Sequence, residues 1–200
     1  MKPYISTPNK QLKRKERLTT HMVMETERLV IRPLSENDWS DLHDYLSQEQ
    51  VLKYEPGEVS NEEDCRKIAR ERVQGDRFGA VCLKETNKMI GHVYFEQKEP
   101  AQFKTWMLGY IFNPAFYGNG YATEACQRLL KYGFEELGAH RVMALCNPEN
   151  AASWRLLERL QMRREGHFKK AAFFRTTENG QPIWHDAYQY AILKDEWMIK

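Results

Sequence analysis

The chain has 200 residues, of which 42% are hydrophobic and 29% charged, and its formal net charge at pH 7 is +2. These values are ordinary for a single soluble globular domain, and so small a net charge argues against a nucleic-acid partner. Because no apolar run is long enough for a membrane span or a signal peptide, we expect a cytoplasmic protein with no membrane partner.

The four cysteines are widely separated and show no Cys-x-x-Cys spacing. No metal site is therefore predicted. We expect each thiol to be a small core residue in a reducing compartment. The cysteines are Cys65, Cys82, Cys126 and Cys146.

Residues 1–21 are rich in basic side chains, poor in apolar ones and without periodicity. One interpretation is a basic arm that contacts RNA or the ribosome. The other is a disordered leader, or a stretch upstream of the true start at Met22 or Met24. We predict a disordered basic leader over residues 1–21 and one domain over residues 22–200.

The domain opens at Thr26 with a short predicted strand that Pro33 ends. Two capping sequences, Ser35 to Asp38 and Ser60 to Glu63, each predict the start of a helix. We expect the inward residues of these helices to be Trp39, Leu42 and Leu46 in the first, and Cys65, Ile68, Ala69 and Val73 in the second.

Strands dominate the second half of the chain. A hairpin is predicted around Glu85 to Lys88, and an apolar strand, Trp106 to Phe112, leads into a glycine-rich turn and an amphipathic helix. The remaining segments are a strand at 140–146, a helix at 151–160 and two closing strands, roughly 163–174 and 184–193. The order β-α-α-β-β-β-α-β-α-β-β predicts an α/β or α+β fold with a mixed sheet.

The glycine-rich turn joins a strand to a helix N-terminus, around Gly118 and Gly120. Such a turn points several backbone N–H groups one way and makes an anion site. The alternative is that the two glycines only make a tight turn. A dinucleotide-binding fingerprint fits poorly because Thr123 stands at the third glycine position, and no Gly-Lys-Ser/Thr follows for a P-loop.

A second motif follows about thirty residues later, where Asn150 is placed to cap a helix and Ser153 lies on its first turn. The succession of strand, Gly-x-Gly-x-Ala turn, helix, strand and Asn-x-x-Ser helix resembles the GNAT superfamily of acyl-CoA N-acyltransferases. The stretches Thr26 to Pro33, Tyr117 to Ala125 and Asp195 to Trp197 resemble the branch that includes the N-terminal acetyltransferases of ribosomal proteins. The resemblance covers about residues 24–198.

The resemblance implies a mostly antiparallel central sheet flanked by helices, with acetyl-CoA as cosubstrate. The coenzyme A pyrophosphate would lie on the backbone N–H groups of the glycine-rich turn, and the pantetheine arm beside the end of the preceding strand, where two strands splay apart. Asn150 would contact the arm and Ser153 would lie near the sulfur, which makes these two the catalytic candidates. The cofactor-binding candidates are Ile111, Phe112, Asn113, Tyr117, Gly118, Asn119, Gly120, Tyr121, Ala122, Asn150 and Ser153.

The chain departs from common superfamily patterns in its acid and base. Met107 stands where many members carry a glutamate base, and Leu157 where many carry a tyrosine acid. Gln161-Met162 replaces the usual Gly-Phe after the helix. Alternative bases are Glu96, His185 and Asp186, although each could equally have a surface or structural role. We expect His92 to be a strand residue whose hydrogen bonds are satisfied within the sheet.

Six aromatic residues near the motifs are open to two interpretations. They either line an acceptor pocket or form core and cross-strand pairs, which is the usual role of aromatics in strands. The six are Tyr110, Tyr117, Tyr121, Phe173, Phe174 and Trp184.

The leading hypothesis is direct transfer of the acetyl group from acetyl-CoA to a primary amine, with no covalent enzyme intermediate. The acceptor is either a protein N-terminus, such as that of a ribosomal protein, or a small amine such as an amino sugar, a polyamine or a drug. The competing hypotheses are a non-catalytic acyl-CoA sensor and a nucleotide- or RNA-binding module. Both a monomer and a homodimer fit the sequence.

Overall fold

A computed structural model describes residues 23–198, so the basic leader predicted for residues 1–21 lies outside the described part. The described residues form one eight-stranded sheet in the order β1-β2-β3-β4-β5-β6-β8-β7. Its strands are β1 (Met24–Glu25), β2 (Leu29–Pro33), β3 (Phe78–Leu83), β4 (Met89–Gln97), β5 (Thr105–Phe112), β6 (Arg141–Cys146), β7 (Arg163–Thr176) and β8 (Pro182–Leu193).

Helices cover both faces of the sheet. They are α1 (Trp39–Leu46), α2 (Glu49–Leu52), α3 (Glu62–Val73), α4 (Tyr121–Lys131), α5 (Ala151–Arg159) and α6 (Lys194–Met198), and a π-helical turn (Tyr132–Glu136) extends α4. The mixed, mostly antiparallel sheet is confirmed. The predicted order lacked β1, α2 and α6, which are at most five residues long and too short to show a hydrophobic period.

Each strand sends alternate side chains to opposite faces of the sheet, and this divides the core in two. In β3, Ala80 and Cys82 pack against α1 and α3, whereas Val81 packs in the larger cluster beneath α4 and α5. All four cysteines are buried free thiols. Their predicted role as small core residues is confirmed.

Both predicted helix caps are present, and the second lies one residue later in the chain than expected. Ser35 and Asp38 form a reciprocal capping box before α1. At α3 the cap is Asn61 with Asp64, and not Ser60, because the Ser60 hydroxyl donates to the Glu58 carbonyl and the Ser60 N–H to the Leu46 carbonyl.

The inward face of α3 differs from the prediction at its last turn. Cys65 and Ala69 are fully buried as expected, but the Val73 side chain is 37% exposed. The Arg72 guanidinium instead packs over the Phe78 ring, 4.2 Å from the ring centroid. The long stem of arginine covers apolar surface that a valine cannot reach.

The pairing of β5 with β6 positions the site described below. It is parallel, whereas every other strand pair is antiparallel, and it joins only Thr105–Met107 to Arg141–Met143. Beyond those three residues β5 continues beside β4 alone, while β6 continues beside β8. The predicted splay therefore opens between Tyr110 on β5 and Cys146 on β6.

Candidate functional site

The turn between β5 and α4 has the conformation that its glycines predict. Gly118 and Gly120 have φ angles of 80° and 79°, in the left-handed region that only glycine enters without strain. A Cβ at Gly118 would meet no other atom within 4 Å, so the backbone is open to an approaching group.

The turn presents unpaired backbone donors. Within residues 23–198, no acceptor is hydrogen-bonded to the backbone N–H groups of residues 118–123, and the first helical bond runs from the Glu124 N–H to the Gly120 carbonyl. These donors lie at the positive end of the dipole of α4, an eleven-residue helix. A helix start of this kind binds phosphate groups.

Two predicted cofactor contacts, Asn113 and Asn119, use their side chains to shape the turn. The Asn113 Oδ1 accepts a hydrogen bond of 3.0 Å from the Ala115 N–H. The Asn119 Nδ2 donates to the carbonyls of Phe116 and Tyr117, each at 3.2 Å. Tyr117 itself is 57% exposed at the rim of the turn. The two asparagine side chains therefore hold the loop from within.

A clamp from the start of the chain holds the other side of the turn. The Thr26 hydroxyl and the Arg28 backbone N–H both donate to the Glu124 Oε1, at 2.6 and 2.9 Å. The Arg28 guanidinium binds the second carboxylate oxygen and also donates to the Asn119 carbonyl at 3.0 Å. Burial alone would raise the pKa of Glu124, but the donors from Thr26 and Arg28 outweigh it and lower the pKa.

In the sequence, residues Thr26 to Arg28 are recognisable only as part of a family signature. The structure gives it a physical role, since it fixes the helix start that carries the free N–H groups. The Arg28 guanidinium also lies over the Tyr121 ring, 4.5 Å from its centroid, and so brings a positive charge to the edge of the turn.

In the splay, two hydroxyls from distant parts of the chain meet. The Tyr110 and Ser153 hydroxyl oxygens lie 2.9 Å apart, and the Tyr110 hydroxyl also lies 3.1 Å from the Ser153 carbonyl. Asn150 caps α5 as predicted, since its Oδ1 accepts a bond of 3.2 Å from the Ser153 N–H. Burial holds the pKa of Tyr110 well above its ordinary value, so the phenol stays protonated and can donate.

Three predicted contacts remain. Ala122, in the first turn of α4, packs against the cluster under α4 and α5, and Ile111 and Phe112 lie at the end of β5 on opposite faces. Ile111 packs against the cluster under α1 and α3, and Phe112 belongs to the cluster under α4 and α5. Cys146 borders the same splay from β6, where burial raises the pKa of its thiol to about 11 despite a bond with Ser153. A thiol with so high a pKa is no nucleophile at neutral pH.

Glu55 lies in the loop after α2, where an isolated glutamate beside Pro56 and Gly57 carries no sequence pattern. Burial raises its pKa to about 7. Its charge in turn contributes to the raised pKa values of Tyr110, Tyr117 and Cys146.

The four other titratable candidates have structural roles. Asp186 accepts from His167, Lys169 and the Lys170 N–H, which lower its pKa. Glu96 is bonded to Tyr94, Arg77 and Lys98, and its pKa is likewise lowered. His92 is buried with its Nδ1 on the Tyr45 hydroxyl at 2.7 Å, and His185 lies 3.1 Å from the Asn147 amide and stacks on Phe174.

The aromatic candidates divide between pairs, core and rim. Phe173 and Trp184 are cross-strand partners whose rings meet edge-on at 5.2 Å, while Tyr121 packs on the core.

Leu157 is fully buried and does not line the splay. Gln161 has a φ of 62°, which explains why glycine is common there, and Met162 fills the buried position beside it.

Other features of the described residues lie away from the splay. A surface cavity of about 570 Å³ is lined by Lys104, His140 and Lys194 at the opposite end of β5 and β6. Residues 23–198 hold no cluster of His, Cys, Asp and Glu placed for a metal ion. No helix among them is long and apolar enough to cross a membrane.

Comparison with known proteins identifies this architecture. The family model of an acetyltransferase (GNAT) domain matches residues 28–163. An uncharacterized N-acetyltransferase of Bacillus subtilis (strain 168), YnaD, is 39% identical over 178 residues, which are 88% of this chain and 99% of the relative. The [ribosomal protein uS5]-alanine N-acetyltransferase of Escherichia coli (strain K12) is 27% identical over 186 residues, 87% of this chain and 92% of that protein. The crystal structure of a GNAT-family acetyltransferase from Bacillus anthracis has 39% identity and a TM-score of 0.79, and the match covers 88% of this chain and all of that one.

Proposed function

The chain belongs to the GNAT acetyltransferase family and is an acetyl-CoA-dependent N-acetyltransferase, and on that premise we propose that it acetylates the N-terminal amine of a protein, of the ribosomal-protein type. The observation that carries the site assignment is the splay between β5 and β6, which opens beside the glycine-rich turn. The relative that supports this acceptor is the uS5-alanine N-acetyltransferase, whose match extends over 92% of its length.

The cofactor would lie across the turn and into the splay. The pyrophosphate is assigned to the free N–H groups of residues 118–122, where the helix dipole and the Arg28 guanidinium offset its negative charge. The pantetheine arm is assigned to the free edge of β5 between Ile111 and Asn113. Its thioester then comes close to Ser153 and Tyr110, with Asn150 beside the arm.

The hydroxyl pair of Tyr110 and Ser153 suits the leaving group. When an amine attacks the thioester carbonyl, charge develops on the oxygen and then on the departing sulfur. A hydroxyl donor next to the sulfur stabilises that charge. Tyr110 supplies from β5 a phenol donor that α5 lacks, since position 157 is a buried leucine.

The test is a thiol-release assay with acetyl-CoA and a panel of acceptors. The panel comprises short peptides with N-terminal alanine, serine or methionine, the same peptides with a blocked N-terminus, spermidine and glucosamine. We expect turnover with free N-termini and none with the blocked peptides. Preferential turnover of spermidine or glucosamine would replace the protein acceptor with a small amine, and acetyl-CoA binding with no turnover on any amine would favour an acyl-CoA sensor.

A further inference from the structure

We propose that a second binding site, for the phosphate and base of a nucleotide, lies at the end of the sheet opposite the splay. The site is the surface cavity of about 570 Å³ that Lys104, His140 and Lys194 line. A volume between about 300 and 1,000 Å³ is typical of small-molecule sites. Acetyl transfer as proposed above makes no use of this surface.

Backbone hydrogen bonds hold the three basic residues side by side. The His140 N–H donates to the Lys104 carbonyl at 2.9 Å, and the Lys194 N–H donates to the His140 carbonyl at 3.0 Å. Lys104 directly precedes β5, His140 directly precedes β6 and Lys194 directly follows β8. These three strands are neighbours in the sheet, so the three residues come together where the strands end at one edge.

The cavity is lined by basic side chains and by no acidic one. Within residues 23–198, no ion pair engages Lys104, His140 or Lys194, and Asp195, although next in the chain, does not line the cavity. The acidic side chains of the adjoining segments are paired with other cations, as Glu135–Lys131, Glu136–Arg128 and Glu196–Arg163. The net charge of +2 describes the whole chain, whereas this edge carries unpaired positive charge that attracts an anion.

An exposed aromatic ring borders the same cavity. Phe103 directly precedes Lys104 and is 61% exposed. Exposure of a phenylalanine to water is unfavourable, but a nucleobase can stack on its face. Positive side chains beside a stacking ring are the means by which proteins hold single-stranded nucleic acid without reading its sequence. The ring therefore favours a nucleotide over an anion that has no base.

Lys104 has a backbone conformation that is unusual for a lysine. Its φ and ψ angles of 47° and 41° lie in the left-handed region, which glycine enters without strain. The conformation ends a 3₁₀ turn (Ala101–Phe103) and directs the chain into β5. Because glycine would make the same turn at lower cost, the presence of lysine is explained if its ammonium group binds a ligand in the cavity.

The cavity and the cofactor site are separate. They lie at the two ends of β5, which is eight residues long, and a strand of that length spans roughly 23 Å. A nucleotide in the cavity and coenzyme A on the glycine-rich turn can thus be bound at the same time. The nucleotide is either free or one unit of a single-stranded RNA, since both present a phosphate next to a base.

The experiment measures nucleotide binding by the full chain saturated with acetyl-CoA, so that the nucleotide portion of coenzyme A already occupies the cofactor site. The probes are AMP, followed by calorimetry, and a fluorescent oligoadenylate, followed by anisotropy at low and physiological salt. The variants are Phe103→Ala and the double substitution Lys104→Glu with Lys194→Glu. Lys67→Glu is the matched control, because Lys67 is an exposed lysine on α3. Every variant keeps residues 1–21, so differences between them report on the cavity.

We expect the double variant to lose affinity for both probes by roughly tenfold or more, and its salt dependence for the oligoadenylate to fall by about one unit of slope for each lysine. Phe103→Ala should bind both probes roughly fivefold or more weakly, and Lys67→Glu should stay within about twofold of the parent. Much tighter binding of the oligoadenylate than of AMP would assign the site to an RNA strand, and equal affinity would assign it to a free nucleotide.

Two outcomes overturn the inference. One is equal nucleotide affinity in the parent and the double variant, with circular dichroism showing that both are folded, which would place the nucleotide outside the cavity. The other is binding of tripolyphosphate or a polyglutamate peptide as tight as that of the nucleotides, together with an unchanged affinity for AMP in Phe103→Ala. The cavity would then attract anions in general and would not be a nucleotide site.

Discussion

The hydroxyl oxygens of Tyr110 and Ser153 lie 2.9 Å apart although 43 residues separate them in the chain. Tyr110 comes from the free end of β5 and Ser153 from the first turn of α5. Their contact spans the part of the sheet where β5 and β6 no longer pair. In the function proposed above, these two hydroxyls are assigned to the thioester sulfur.

Ser153→Ala should lower kcat more than it raises the KM for acetyl-CoA, because the lost donor matters most as charge builds on the sulfur. A neutral donor contributes about 1–2 kcal/mol, which corresponds to roughly a five- to thirtyfold fall in kcat. The pH profile should keep its shape, since serine does not titrate in that range. Steady-state kinetics measure both constants.

Tyr110→Phe is the companion variant, because it removes the hydroxyl and keeps the ring. If the two hydroxyls act as a unit, the double variant should lose little more than either single one. An unaltered kcat in both single variants would remove this pair from the mechanism.

Gly120→Asp should abolish acetyl-CoA binding while the fold persists. A Cβ at Gly120 would lie 3.6 Å from the Arg28 Nη2, so the added carboxylate would bring a negative charge to the place assigned to the pyrophosphate and offset the charge of Arg28. Gly120→Asn is the matched control, because asparagine has the same size and tolerates a positive φ, which is 79° here. Calorimetry should show weak binding by the asparagine variant and none by the aspartate variant, with circular dichroism confirming the fold. Equal affinity in the two would place the phosphates elsewhere.

Glu124→Gln should loosen the clamp that Thr26 and Arg28 make on the glycine-rich turn. We expect a loss of about 1–2 kcal/mol in the free energy of unfolding, since the Arg28 side chain is 44% exposed and water screens part of the ion pair. The KM for acetyl-CoA should rise severalfold because the helix start is less well held. Glu135→Gln is the control, and breaking its exposed pair with Lys131 should cost less than about 1 kcal/mol.

The same clamp predicts a pH dependence of stability. The pKa of Glu124 is lower in the folded chain than its ordinary value of 4.5, so the unfolded chain binds the proton more tightly. The stabilisation is therefore fully present above about pH 4.5 and is lost as the pH falls through the folded pKa. Denaturant unfolding between pH 3 and pH 7 should show a shallower decline for Glu124→Gln than for the parent. If the free energy of unfolding fell equally with pH in the two proteins, the Glu124 carboxylate would not be the cause of the decline.

Removal of residues 1–21 should leave the melting temperature and the acetyl-CoA affinity unchanged. The segment is basic and almost without apolar residues, so it has little surface to bury on the domain. A large drop in melting temperature would show that it packs on the fold. A loss of activity confined to ribosomal acceptors would instead support a basic arm.

The glycine-rich turn and the Asn-x-x-Ser helix were determined by the sequence itself. Their structure depends on contacts a few residues apart, such as the φ angles of Gly118 and Gly120 and the Asn150 cap on Ser153. The main strands and helices followed for the same reason, since hydrophobic periods act over one or two turns. The prediction failed where an element was too short to show a hydrophobic period, as in α2. It also failed at the end of α3, where Arg72 and not Val73 covers the edge of the core.

The tertiary structure alone decided which chemical groups share the splay. Tyr110 and Ser153 meet because β5 and α5 converge where β5 and β6 part, and no local pattern encodes that convergence. The clamp on Glu124 likewise joins residues 96 to 98 positions apart. Burial raises the pKa of Glu55 to about 7, and burial is a property of the packed fold that residue spacing in the sequence does not carry.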